Sequence, residues 1–150
     1  MRHHLTRNLP YSPEQLFDLV ADVESYPRFV RWIETLRTWN RRPAGEGITR
    51  LDAEARVRFG PLRERFSTGV TFDRPRLAID VSLLSGPFRR LENHWTFKPR
   101  DEGAELGFDI DFEFRSPLLA ALLAANFHRA AETLVGCFET RAVELYGGKA

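Results

Sequence analysis

The sequence Leu118-Leu119-Ala120-Ala121-Leu122-Leu123-Ala124-Ala125 begins a helical pattern that continues to Leu145. These eight side chains are apolar around the whole circumference of a helix, so part of the surface faces outward unless another element covers it. Ser116 as N-cap and Pro117 at the first helical position predict where the helix begins. At about 1.5 Å per residue the helix spans roughly 40 Å, which is enough to cross a whole sheet.

Strand patterns fill much of the chain ahead of this helix. The clearest runs from residue 106 to 114, where large apolar residues alternate with Gly, Asp, Asp and Glu. Period-two alternation is typical of a sheet with one apolar face and one face in water. The predicted strands are 3–9, 32–42, 48–59, 62–73, 77–83, 90–98 and 106–114. Because the turns between the last six are short, we expect an antiparallel meander.

Two short helices are predicted between the first two strands. Ser12 as N-cap, Pro13 at the first position and Gln15 at the third form a capping box. A second helix begins after Asp22 and ends before Pro27, because the residue preceding proline avoids the helical region. The predicted fold class is α+β: a curved antiparallel sheet of about seven strands, with the long C-terminal helix packed across its apolar face. We expect one domain, residues 1–150.

Composition narrows the classes of partner and compartment. A formal net charge of +1 argues against a nucleic-acid binder that relies on a broad basic field, and we expect no DNA partner. All but two of the 22 basic residues are arginine, which codon bias explains more simply than recognition of phosphate or carboxylate. The lone Cys137 indicates a reducing compartment and a structural thiol. No secretory signal and no membrane-spanning stretch is present, which favours a cytoplasmic protein with at most peripheral membrane contact.

Aromatic side chains line the apolar face of the predicted sheet. Facing the helix we expect Trp39, Phe66, Phe72, Trp95, Phe97, Phe108, Phe112 and Phe114. The helix contributes Leu119, Leu123, Phe127, Leu134 and Phe138. Glu64, Thr68 and Asn93 are polar residues on the same inward face. A mostly apolar chamber with a few polar groups is typical of small-molecule pockets, and a filled core with polar edges fits the same pattern.

Groups suited to catalysis or metal binding are sparse. The four histidines are His3, His4, His94 and His128. They show no metal-ligand spacing, and the N-terminal pair is expected to be solvated. Asp109, Asp111 and Glu113 point to the wet side of their strand, where we expect Arg63 or Arg65 to partner them across strands. We therefore predict no catalytic residue and no metal ligand.

Three segments resemble one family. They are the helix start Ser12-Pro13-Glu14-Gln15, the segment Asp22-Val23-Glu24-Ser25-Tyr26-Pro27-Arg28-Phe29-Val30-Arg31-Trp32 and the helix end Phe138-Glu139-Thr140-Arg141-Ala142. Together with the element order, they resemble the START-like coenzyme Q-binding proteins, a polyketide cyclase/dehydrase-type subgroup of the helix-grip (START/Bet v 1-like) fold. The likeness covers nearly the whole chain, and the second segment is its most specific part.

The resemblance implies a function as well as a fold. It implies a carrier or chaperone that holds ubiquinone, or a similar polyprenyl lipid, under the long helix and supports respiratory electron transport without turnover. No cofactor is implied besides the bound lipid. A bacterial branch of the family is similar and is described as a toxin that inhibits ribosomal subunit association, so a ribosome is the alternative partner. The superfamily also contains cyclases, for which Glu64 and Asn93 are the inward candidates here.

The predicted ligand-binding residues come from two sources. Tyr26, Phe29 and Trp32 match the aromatic segment of the family. The remaining residues follow from the inward face of the strands and helix: Phe66, Thr68, Val70, Asn93, Trp95, Phe112, Leu119, Leu123 and Phe127. Eukaryotic members of the family carry a mitochondrial presequence, whereas this chain begins almost at its first strand. We therefore expect a bacterial cytoplasmic protein, in contact with the inner membrane only at its periphery. As plain packing, the segment 26–32 would close one end of the sheet instead.

Overall fold

The computed structural model describes residues 1–59, 61–124 and 127–147. Seven strands form one antiparallel sheet in the spatial order β1-β7-β6-β5-β4-β3-β2. The strands are β1 Arg2–Leu9, β2 Ile33–Gly45, β3 Ile48–Phe59, β4 Leu62–Asp73, β5 Ala78–Ser85, β6 Phe88–Arg100 and β7 Gly103–Phe114. The helices are α1 Pro13–Ala21, a 3₁₀ helix Val23–Arg28, α2 Pro117–Ala124 and α3 Phe127–Tyr146. The predicted α+β fold class and the meander of β2 to β7 are confirmed.

The start of α1 has the predicted cap. The Gln15 amide N–H donates to Ser12 Oγ at 3.1 Å, and the Ser12 N–H donates to Gln15 Oε1 at 2.9 Å. The second helix does not end before Pro27, as predicted, but continues as a 3₁₀ helix to Arg28. Pro27 is tolerated because the hydrogen bonds of this turn do not require an N–H group at position 27. The N–H groups of Phe29 and Val30 donate to the Tyr26 carbonyl at 3.1 and 2.8 Å.

The C-terminal helical region is described as α2 and α3, with residues 125 and 126 of the predicted helix outside the described residues. The Leu119 N–H donates to Ser116 Oγ at 3.3 Å, which confirms the predicted N-cap. Leu118 and Leu122 are 69% and 57% exposed, so the predicted outward apolar surface of α2 is confirmed. None of the helices in the described ranges combines the length and the apolar character needed to cross a bilayer.

Polar contacts attach α3 to the rest of the molecule at both ends. Arg7 on β1 forms ion pairs with Glu132 and with Glu139, the latter at 3.3 Å between Arg7 Nε and Glu139 Oε1. At the C-terminal end the Tyr146 hydroxyl donates to the Gln15 carbonyl at 2.8 Å. The Tyr11 hydroxyl donates to the Gly147 carbonyl at 2.8 Å. Helix α3 is therefore held between β1 and α1, with one face over the sheet.

Trp39 does not face the helix, as predicted. It is 42% exposed, and its backbone is opposite Asp52 on the outer face of the sheet. The register of β2 against β3 shifts between Ile33 and Thr35, so that Leu36 faces inward opposite Ala55. A bulge adds one residue to a strand and reverses the facing of every residue after it. The aromatic residue predicted inside therefore lies on the surface.

The acidic side chains of β7 lie on the outer face, as predicted, but their partners differ. His4 Nδ1 is 2.6 Å from Asp109 Oδ1, and Arg90 donates to Asp111 at 3.2 Å and to Glu113 at 3.1 Å. The hydrogen bond from Arg90 lowers the pKa of the Asp111 carboxyl below its ordinary value. The predicted arginine partners belong to β4, which is separated from β7 by β6 and β5.

Candidate functional site

The inner face of the sheet, which looks toward α3, is defined by the strand register. Leu51 is opposite Val70 in neighbouring strands, and Trp95 is opposite Phe108. All four side chains are buried. Among the described residues, the buried apolar side chains fall into two clusters, and the partly buried Ile110 packs against both.

The first cluster is centred on Phe138 of α3, which is 1% exposed. The rings of Tyr26, Phe29 and Trp95 each approach the Phe138 ring with centroids 5.1 Å apart, in edge-to-face arrangements. Aromatic pairs prefer this geometry. The cluster also contains most of α1 and the inner side chains around Phe108 and Val70. This part of the interior is filled with interlocking rings.

The second cluster lies toward the other end of the sheet. Its buried members are Phe88, Leu91, Phe112 and Phe127. Its partly buried neighbours are Met1, Phe66, Leu83, Ile110 and Phe114. The Phe112 and Phe127 rings are 4.8 Å apart, and Phe66 is 5.4 Å from Phe88. Each buried member is 6–8% exposed, whereas Phe17, Phe108 and Phe138 of the first cluster are at most 1% exposed.

Three polar residues lie on the inner face where the two clusters meet: Thr68 of β4, Asn93 of β6 and His3 of β1. We call them the polar row. Ile110 of β7 stands between His3 and Asn93, and Thr68 is opposite Leu83 of β5. On β6 Asn93 stands between Leu91 of the second cluster and Trp95 of the first. Asn93 Oδ1 and His3 Nε2 are buried without a hydrogen-bond partner among the described residues. A buried polar atom left unpaired costs about 1–3 kcal/mol, so the row is suited to a ligand that supplies the missing hydrogen bonds.

His3 is the site residue that sequence reasoning missed, because the N-terminal histidine pair was expected to be solvated. His3 Nδ1 lies 2.7 Å from His128 Nδ1 on α3, and the His3 ring is 5.9 Å from that of Phe127. Burial, and then the neighbouring His128 and His4, lower the pKa of His3 below its ordinary value. Alternation along β1 could have placed His3 on the inner face, because His3 stands two residues before Leu5, which is buried there.

Most of the predicted ligand-binding residues fall in these three regions. Tyr26, Phe29, Val70 and Trp95 belong to the first cluster. Phe66, Phe112 and Phe127 belong to the second. Thr68, which is 7% exposed, and Asn93 form the polar row. Leu119 of α2 is buried, Trp32 is partly exposed, and the side chain of Leu123 lies outside the described residues. The contact of these side chains with a ligand stays a prediction.

The aromatic segment at residues 26–32 joins two elements. Its Tyr26 hydroxyl donates to the Val20 carbonyl of α1, and the Trp32 carbonyl accepts from the Arg58 N–H of β3 at 2.8 Å. Desolvation of the Tyr26 hydroxyl, with the negative Asp22 nearby, raises the pKa of that phenol well above its ordinary range. Tyr26 and Phe29 therefore point into the first cluster, while Arg28 is exposed.

Other sites offer less to an apolar ligand. A groove of about 560 Å³ lies on the outer face between Asp80, His94 and Asp109, and one of about 500 Å³ lies beside Tyr11 and Tyr146. Within residues 1–59, 61–124 and 127–147, no group of three His, Cys, Asp or Glu side chains is placed to hold a metal ion. Burial raises the pKa of the half-buried Cys137 thiol, which keeps it protonated and unreactive near neutral pH.

Comparison with known proteins agrees with this architecture. The ribosome association toxin RatA of Pseudomonas aeruginosa is 37% identical over 150 residues, which cover 98% of this chain and 100% of that protein. The mitochondrial coenzyme Q-binding protein COQ10 homolog B of Xenopus laevis is 32% identical over 143 residues, or 93% of this chain and 57% of that protein. The solution structure of the 18 kDa protein CC1736 from Caulobacter crescentus has 52% identity and a TM-score of 0.82, and 99% of each chain is covered.

A family model described as polyketide cyclase/dehydrase and lipid transport matches residues 9–139. These residues include α1, the aromatic segment, β2 to β7 and most of α3, and so most of both clusters and of the polar row. The predicted resemblance is confirmed. A grip of one long helix over a curved antiparallel sheet, matched along nearly its full length, places the chain in the polyketide cyclase/dehydrase and lipid transport family.

Proposed function

We propose that the protein binds an isoprenoid lipid of the ubiquinone class between the inner face of the sheet and α3, and acts as a carrier or chaperone in respiratory electron transport. The observation that carries this proposal is the polar row between two apolar clusters, with Asn93 Oδ1 and His3 Nε2 unpaired. A lipid with a polar head and an apolar tail matches such a surface. The name of the 32% identical coenzyme Q-binding relative supports the choice of a quinone.

The chemistry of the polar row suits a quinone head group. The carbonyl oxygens of a quinone accept hydrogen bonds, which the Asn93 side-chain N–H and the Thr68 hydroxyl can donate. Asn93 Oδ1 can only accept, so its partner would be a hydroxyl group of the reduced quinol form. Because its pKa is lowered, the His3 ring is neutral near pH 7 and adds no charge next to an apolar ligand. The rings of the second cluster, including Phe112 and Phe127, then provide contact area for the isoprenoid tail.

Helix α2 suits delivery to a membrane. Leu118 and Leu122 project into solvent, while Leu119 on the same helix is buried. Exposed apolar side chains on a short helix bind the interface of a bilayer without crossing it. We therefore place peripheral membrane contact at α2.

Binding is proposed without turnover. The family description includes cyclases and dehydrases as well as lipid transport. On the inner face, Glu64 is the acidic candidate, and it is partly exposed and opposite Val57. Glu64→Gln is expected to retain quinone binding, and no consumption of quinone is expected from either protein. Conversion of a quinone by the wild type but not by this variant would favour an enzyme.

The lipid proposal is tested by native mass spectrometry of the protein purified from its own host, followed by titration with ubiquinone. We expect a co-purifying prenyl quinone and saturable uptake of added ubiquinone. Asn93→Leu should weaken uptake, whereas the matched control Asn8→Leu, on the exposed side of β1, should not. Ligand-free spectra together with no uptake would reject the proposal.

A second function has specific support, namely binding to the ribosome so as to inhibit subunit association. The 37% identical Pseudomonas relative, named a ribosome association toxin, matches over its whole length. Addition of purified protein to dissociated subunits should lower the fraction of associated ribosomes in a sucrose gradient. An unchanged profile at a large molar excess of protein would reject this function, and it would leave the lipid proposal standing.

A further inference from the structure

Arginine side chains gather on the outer face of β2, β3 and β4. We call this surface the arginine face, and its members are Arg37, Arg50, Arg56, Arg58, Arg63 and Arg65. All six are exposed. The register of the strands places them on the side of the sheet opposite to Val57, Phe66 and the other inner residues.

Two pairs of arginines lie directly opposite each other in the sheet. Arg56 is opposite Arg65, and Arg58 is opposite Arg63, in consecutive positions of the same face of β3 and β4. Side chains opposite each other in antiparallel strands have Cβ atoms about 4.5–5.5 Å apart, and like charges there destabilise the sheet. The two adjacent pairs concentrate positive charge on one part of the face, where an anionic partner would reduce the repulsion.

The acidic residues of this face neutralise only part of that charge. Glu54 Oε1 accepts from Arg37 Nε at 3.2 Å, and Glu54 Oε2 is 3.9 Å from Arg65 Nε. Asp52 lies next to β2, where it accepts from Asn40 at 3.1 Å. Within the described parts of the chain, Arg56 and Arg63 have no ion-pair partner. Positive charge therefore remains in excess on β3 and β4.

On the other half of the outer face, basic side chains form ion pairs with acidic ones. On β1, β5, β6 and β7, His4 contacts Asp109, His94 contacts Asp80, and Arg90 donates to two acidic side chains. The net charge of +1 therefore conceals a basic half and a half in which acids are paired with bases. The excess of arginine is confined to one surface.

An exposed aromatic ring lies on the same surface. Trp39 is 42% exposed, and the Arg37 guanidinium stands 5.6 Å from the centre of its ring. Guanidinium groups that follow a phosphate backbone, next to an aromatic ring on which a base stacks, are typical of surfaces that bind single-stranded nucleic acids. A membrane surface fits less well, because the exposed leucines Leu118 and Leu122 belong to α2 and not to this face.

We propose that the arginine face binds the phosphate backbone of an RNA strand, with Trp39 as the stacking platform for an unpaired base. The choice of RNA over DNA rests on the second function proposed above. The remainder rests on the opposed arginine pairs and the exposed ring, and it is independent of any lipid bound at the inner face.

The test is fluorescence anisotropy with a labelled single-stranded RNA of about 16 nucleotides, within the site sizes of such surfaces. The double variant Arg56→Gln/Arg65→Gln should weaken binding at least tenfold and reduce the slope of log affinity against log salt by about 1.4, because each phosphate contact on a single strand contributes about 0.7. Trp39→Ala should weaken binding about tenfold without changing that slope. The matched control Arg76→Gln/Arg129→Gln removes two exposed arginines outside the face and should bind like the wild type.

Thermal unfolding shows whether the variant has lost contacts with RNA or has lost its folded structure. Because opposed arginines repel each other, the Arg56→Gln/Arg65→Gln protein should melt at the same temperature as the wild type or higher. Unchanged RNA binding by this folded variant would overturn the proposal. So would binding of phosphatidylglycerol vesicles through the same arginines with no binding of RNA.

Ribosome profiles distinguish this inference from the function it builds on. If the wild type lowers subunit association but the arginine variant does so equally and the RNA does not bind, the inference fails while the second function stands. If RNA binds through the arginine face but the profiles never change, the inference stands and the second function fails.

Discussion

The two apolar clusters differ in how completely they are enclosed. Around Phe138 the rings interlock, and several members such as Phe108, Leu16 and Val135 have no exposed surface. The buried members of the second cluster, around Phe112 and Phe127, are each 6–8% exposed, and both clusters adjoin partly buried residues. The contrast indicates that the first cluster mainly stabilises the fold, while the second retains surface for a ligand. Substitutions in each cluster test that division.

Removal of the central ring of the first cluster should have the largest effect. Phe138→Ala leaves a cavity where three aromatic rings meet, and we expect the free energy of unfolding to fall by about 3–5 kcal/mol. Urea unfolding followed by circular dichroism measures the change. A loss below about 1 kcal/mol would show that the first cluster is not the principal core.

The equivalent truncation in the second cluster should lower the free energy of unfolding less than Phe138→Ala does, and it should weaken ligand binding more. Phe127→Ala removes a ring that is already 8% exposed, so we expect a loss near the lower end of the range, about 3 kcal/mol. Titration with ubiquinone at a temperature where the variant is fully folded should show weakened uptake. Uptake equal to that of the wild type would place the ligand elsewhere.

Replacement of Asn93 should separate stability from binding. Asn93→Leu removes an unpaired buried oxygen, and we expect the free energy of unfolding to rise by about 1 kcal/mol while ubiquinone uptake falls. Thermal and urea unfolding of Asn93→Leu and of the control Asn8→Leu measure the first effect. A destabilised Asn93→Leu protein would indicate that the Asn93 side chain has a partner in solution and is not reserved for a ligand.

The polar row also predicts a pH dependence. The pKa of His3 is lowered from 6.5, so the unfolded chain takes up this proton before the folded protein does as the pH falls. Stability should therefore decline as the pH falls below about 6.5. The difference between the unfolding temperatures at about pH 7.5 and about pH 5.5 should be smaller in His3→Gln than in the wild type. It should be unchanged in the control His4→Gln, whose ring is on the outer face. An identical pH dependence in His3→Gln would exclude His3 as its source.

Changes to the exposed side of α2 should have the smallest effect on stability. Leu118→Ser/Leu122→Ser alters only exposed side chains, and we expect the free energy of unfolding to change by no more than about 0.5 kcal/mol per site. Co-sedimentation with vesicles should decrease in this variant. Equal sedimentation of variant and wild type would exclude α2 as the membrane contact.

Strand patterns and caps were predictable wherever a residue's own neighbours determine its conformation. The predicted bounds of β3 and β4 are those observed, since strict alternation between turn-forming residues leaves one register. The capping box of α1 is equally local, because its two hydrogen bonds join residues three apart. The site could be predicted only in outline. Thr68 and Asn93 were recognised as inward polar residues, and His3 was missed.

Chain order and side-chain polarity alone determined that this protein has a one-sided antiparallel sheet with a helix across it, because alternation and helical spacing are properties of neighbouring residues. Only the tertiary structure decided which residues share a surface. The bulge in β2 turned Trp39 outward, the placement of β1 beside β7 brought His3 to α3, and the pairing of β3 with β4 set Arg56 against Arg65. These outcomes depend on contacts between residues far apart in the chain, which local patterns do not specify.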